Sequence, residues 1–117
     1  MADVTPPWTA ELPASESQEM MAAVKDQIEK DFGLMGFSFN NEFYPSLESM
    51  IPELCLCIET LQSQHQSTWM KVVYRVDLTE KQYRFVKSLG GSTPENMAKA
   101  VILREFQKVA NRKNYGN

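Results

Sequence analysis

The sequence predicts an all-α fold, a small bundle of about four helices built around one long central helix. Three observations carry that expectation. Apolar residues recur at steps of three and four along most of the chain. Capping residues, glycines and prolines stand at the ends of those periodic segments rather than inside them. With 117 residues, 43% of them hydrophobic and 23% charged, the chain has the size and composition of one globular domain. The plan is a mobile N-terminal arm over residues 1–14, a helical domain over 15–113 and a short tail over 114–117.

The arm carries Pro6, Pro7 and Pro13, no Lys or Arg and no apolar run. It therefore does not read as a secretory signal. No stretch reaches the length of a membrane span. With Cys55 and Cys57 as its only cysteines, the chain does not read as a disulfide scaffold, and a cytoplasmic location is expected.

The first helix is expected over residues 15–32. Ser15 can cap it, Gln18 stands at the third position of a capping box, and Met20 or Met21, Val24, Ile28 and Phe32 form its apolar face. Gly33 is its expected stop. Residues 34–44 are a connector whose aromatics, Phe37, Phe39, Phe43 and Tyr44, are candidates to plug the core.

Residues 69–78 are ambiguous. Val72, Val73, Tyr74 and Val76 favour a strand by propensity. The phase of the pattern favours a helix: Leu47, Ile51, Leu54, Ile58, Leu61, His65, Thr68, Val72 and Arg75 step by three or four without a break. One long helix is therefore expected over residues 46–76, bent near Pro52 and roughly 45 Å long at ~1.5 Å per residue. The alternative is an α+β fold with one short hairpin-like strand pair, residues 69–78 against residues 37–39.

Asp77 or Thr79 can cap a short helix running to Leu89, with Leu78, Phe85, Val86 and Leu89 as its apolar set. Gly90 and Gly91 end it. Ser92, Pro94 and Glu95 mark the start of the last helix, whose inner face is Ala98, Val101, Ile102, Phe106 and Val109.

Little in the sequence carries chemistry. On a helix Cys55 and Cys57 point roughly 200° apart, so they cannot share a metal ion. His65, the single histidine, lies too far along the same helix to activate either thiol and reads as a polar group at a helix seam. Glu48, Glu53 and Glu59 do not form a di-metal ligand pattern. The Gly90-Gly91-Ser92-Thr93 turn lacks the lysine of a phosphate loop. No catalytic, cofactor-binding or metal-binding residue is assigned, and no cofactor is expected.

Charge is the strongest functional signal. Residues 1–70 hold two basic and eleven acidic side chains, a net −9, whereas residues 71–117 hold ten basic and four acidic ones, a net +6. The expected interaction surface is Lys71, Arg75, Arg104, Lys108 and Arg112. Arg75 falls on the inner phase of the long helix and would need a carboxylate partner if buried. The favoured reading is a non-enzymatic protein-interaction or scaffold domain that binds a protein partner or a second copy of itself. The competing reading is a nucleic-acid-associated regulator using the basic C-terminal helices. It is disfavoured because Pro94, Glu95 and Asn96 stand where a recognition helix would meet bases.

The segment Val73-Tyr74-Arg75-Val76-Asp77-Leu78-Thr79-Glu80, with the closing Ile102-Leu103-Arg104-Glu105-Phe106-Gln107-Lys108, resembles a group of short all-helical bacterial proteins of unassigned function. They pair a Tyr-Arg-Val/Ile-Asp segment with a closing Arg-Glu-x-Gln-Lys helix. The resemblance covers roughly the last half of the chain. It implies a small helical bacterial protein and transfers no catalytic residue.

Overall fold

In the computed structural model, which describes Leu12 and residues 17–115, the chain is an all-α bundle. Five helices follow one another: α1 (Gln18–Asp31), α2 (Ile51–Gln64), α3 (Gln66–Val76), α4 (Glu80–Ser88) and α5 (Thr93–Tyr115). Short 3-10 turns lie at Gly33–Met35 and Glu48–Met50. Apart from Leu12, which packs partly buried against the core, the arm expected over residues 1–14 lies outside the described residues.

α1 starts later than its sequence suggested. Ser17 is the cap, its side chain accepting from the Met20 N–H at 3.0 Å, and the expected cap Ser15 lies outside the described residues. Gln18 is thus the first helical residue rather than a capping-box partner. Met21, Val24, Ile28 and Phe32 are buried along one side, as their spacing requires. Phe32 closes the helix, and the chain turns again at Gly36, whose φ of 71° suits a residue without a Cβ.

The connector forms no strand. Phe32, Phe37, Phe39 and Tyr44 instead pack ring against ring, with successive centroids 5.8, 5.0 and 5.5 Å apart. Two carboxylates fasten this segment. Glu29 accepts from the Phe39 N–H at 2.8 Å, and Glu53 accepts from the Asn40 N–H and the Tyr44 hydroxyl. These bonds satisfy backbone donors that a strand partner would otherwise take.

The long central helix is broken. Residues 69–76 are helical, so the strand alternative fails, but α2 ends at Gln64 and α3 begins at Gln66. His65, at φ −140° and ψ 59°, is the break, and it is exposed there rather than packed in a seam. No apolar anchor stands between Leu61 and Trp69 to hold the axis straight, and the intervening Ser63, His65, Ser67 and Thr68 are weak helix formers. The break keeps the flanking ladder, with the His65 N–H on Leu61 and its carbonyl accepting from Trp69, both at 2.9 Å. Pro52 occupies the first turn of α2, where its missing N–H costs nothing, and bends no helix.

The buried faces explain a second correction. The helical phase read from Leu47 does not carry across His65, whose backbone is not helical. In α3 Thr68 and Arg75 therefore fall outside the buried face. Trp69, Val72, Val73 and Val76 are buried in their place, and Arg75 is exposed.

Asp77 terminates α3 in the left-handed region, φ 72°, its N–H bonding back to Val73 and Tyr74. Thr79 and Gln82 then form a reciprocal capping box that starts α4. Leu78 and Val86 are buried, while Leu89 is exposed. The buried indole of Trp69 donates to the Tyr83 hydroxyl at 2.9 Å and ties α3 to α4. Ser92 accepts from the Glu95 N–H at the start of α5. α5 runs to Tyr115, so residues 114 and 115 are helical rather than tail. Its buried face includes Met97, Ala98, Val101, Ile102 and Val109.

Candidate interaction surface

The five expected surface cations separate into two groups. Arg104, Lys108 and Arg112 are four residues apart, so they share one side of α5. Arg104 holds the end of α3 through Asp77, with its Nε 3.2 Å from the carbonyl and a second nitrogen 2.8 Å from the carboxylate. Lys108 Nζ reaches Asp31 at 3.1 Å and the Arg75 and Val76 carbonyls at 3.2 and 3.4 Å. Arg112 donates to the Gln27 side chain at 2.8 Å. The last carbonyls of a helix have no partner within it and carry the negative end of its dipole. The basic side of α5 therefore clamps the C-terminal ends of α1 and α3.

Behind the clamp lies a residue that the periodicity of the last helix did not assign. Glu105 is 0% exposed, and Asp31 beside it is also buried. Lys108 Nζ lies 2.9 Å from Glu105 and shares its three hydrogens among four oxygens. Glu105 has Lys108 as its ion-pair partner, and neither of its carboxylate oxygens has a well-aligned hydrogen bond among the described residues. Burial pushes its pKa up to about 8, and the Asp31 carboxylate raises it further than Lys108 lowers it. The raised pKa favours the protonated form at neutral pH, in which the Glu105 O–H can donate to Asp31. A signal was present in the sequence: Glu105 lies four residues from both Val101 and Val109 on the inner face.

The second group is Lys71 and Arg75 on α3. Both are exposed, and neither side chain has an ion pair among the described residues. They flank Met70, 42% exposed, and Tyr74, 86% exposed, and the four side chains line one open depression. Two apolar side chains and two cations without an ion pair among the described residues therefore share one outward side of α3. The structure thus brings Lys71 and Arg75 together, and it places Arg104, Lys108 and Arg112 in a separate, internally engaged set.

The other chemical candidates are quiet. Burial raises the Cys57 thiol to about 11, and burial followed by the charges of Glu59 and Glu95 raises Cys55, so both thiols stay protonated at neutral pH. Among the described residues no three His, Cys, Asp or Glu side chains converge as metal ligands. Among them, too, no helix is long and apolar enough to cross a membrane. No protein-family model, curated protein or solved structure matches the chain.

Proposed function

We propose that this chain is a non-enzymatic protein-interaction domain that binds its partner on the exposed face of α3. The observation that carries the reading is the division of the cations. Three of the five are spent on the fold, and the two that remain border Met70 and Tyr74. A tyrosine with one apolar ring and one hydroxyl, standing 86% exposed between two cations, is the residue type that anchors protein interfaces. The same division weakens the nucleic-acid reading, because two of the three cations of the longest basic stripe, Arg104 and Lys108, are already engaged by Asp77, Asp31 and helix-end carbonyls. The reading places the domain in the bacterial cytoplasm, supported by the resemblance of its second half and by its two unpaired thiols.

A photo-crosslinking amino acid placed at position 74 tests it, with position 43 as the control because Phe43 is comparably exposed. Covalent capture of a polypeptide, foreign or identical, from position 74 and not from position 43 is the expected result. Equal capture from both positions, or none from position 74, overturns the reading.

A further inference from the structure

The α3 face has a counterpart on the helix before it. On α2, Pro52, Leu56, Glu59 and Thr60 fall on one outward side, and all are exposed. Leu56 is 66% exposed, more than Met70. Glu59 has no ion pair among the described residues. α2 therefore presents an apolar side chain beside an unpaired anion, and α3 presents apolar side chains beside two unpaired cations. The sign changes at His65, where the two helices meet.

Resting on the reading of α3 as a docking face, we propose that its occupant is a second copy of this chain. Leu56 and Glu59 of each copy seat on Met70, Lys71, Tyr74 and Arg75 of the other. A two-fold arrangement generates both contacts at once, since in such an interface each patch that is given is also received. The apolar side chains supply the buried area and the charges fix the pairing. Pairing α3 with α3 would instead bring four cations together. A foreign acidic partner would account for α3 alone and leave Leu56 and Glu59 without a role. A second copy accounts for both faces.

Sedimentation equilibrium of the full chain, from micromolar to submillimolar concentration, reads the assembly directly. The expected result is a mass that doubles with concentration, and a dimer that weakens with salt. Tyr74→Ala is expected to weaken the dimer at least tenfold, while far-UV dichroism keeps the helical signal because the side chain is exposed. Two charge reversals then fix the pairing. Glu59→Lys alone and Lys71→Glu with Arg75→Glu alone each place like charges at both contacts, and each is expected to be monomeric. Mixed together, they oppose unlike charges at both contacts, and a heterodimer is expected.

A monomer at every concentration overturns the dimer, as does a dimer that neither reversal affects. These outcomes separate the two claims. A monomer that still crosslinks a foreign polypeptide from position 74 removes the dimer and leaves the docking face. A monomer that crosslinks nothing removes both.

Discussion

Glu105 makes the stability of this fold fall as pH rises through neutrality. Its side chain is fully buried, and its pKa goes from an ordinary 4.5 to about 8 on folding. Between those values the folded chain holds a proton that the unfolded chain has released. Stability then decreases with pH, because the folded state binds the extra proton. The contribution is fully present below about pH 4.5 and is lost as pH passes through about 8. Each unit is worth about 1.4 kcal/mol, so the 3.5 units between 4.5 and 8 set a ceiling of about 5 kcal/mol. That is a large fraction of the roughly 5–15 kcal/mol that holds a small domain together. Glu105→Gln keeps the size of the side chain and a donor for Asp31 but cannot ionise. Urea unfolding followed by far-UV dichroism, at constant ionic strength from about pH 5 to about pH 8.5, reads the difference. The two proteins should differ by about 1 kcal/mol or less at the acid end, and the variant should be more stable by roughly 2–5 kcal/mol at the alkaline end. Parallel curves, or a parent that gains stability over the variant as pH rises, would refute the assignment of a proton to Glu105.

Three further outcomes are expected. Tyr83→Phe removes the acceptor for the buried Trp69 indole and should cost about 1–3 kcal/mol, with a change in Trp69 emission; an unchanged melt and spectrum would mean that the bond contributes nothing. Thr79→Ala removes half of the capping box of α4 and should cost about 1 kcal/mol in urea unfolding, whereas Thr79→Ser should cost much less. Alkylation of Cys57 should be slow at neutral pH and should accelerate until pH passes about 11; a rate that levels off near neutrality would contradict a thiol raised by burial.

Periodicity made most of the fold legible. The α1 and α5 segments show most of their inner faces in sequence because an amphipathic helix must repeat its apolar residues every three or four positions. The break at His65 left no such mark. No glycine or proline stands there, and the chain bends only because seven consecutive residues, 62–68, offer nothing buried to hold it straight. Arg75 looked inward for a related reason, since the phase carried forward from Leu47 does not survive the break at His65. Glu105 shows the opposite failure. Its spacing marked it as internal and its charge marked it as external, and burial beside the Asp31 carboxylate resolves the conflict by favouring the protonated form against the pull of Lys108. The candidate surface was legible as a set of cations and not as a division among them. Arg104 meets its partner 27 residues away and Arg112 meets Gln27 at a separation of 85, distances over which one sequence gives no pairing information.

The central claim is that the cations of α5 hold the fold while those of α3 are free to bind. Thermal melting of two double variants, side by side, tests it most directly. At a concentration low enough to keep the chain monomeric, Lys71→Gln with Arg75→Gln removes exposed, unpaired charge and should melt within about 2 °C of the parent, as surface changes of this kind do. Arg104→Gln with Lys108→Gln strips the clamp from Asp31, Asp77 and the α3 carbonyls and should cost about 2–3 kcal/mol, which is roughly 8–12 °C at this chain length. Equal melting temperatures for the two variants, or a larger loss from the α3 pair, would contradict the division on which the proposed function rests.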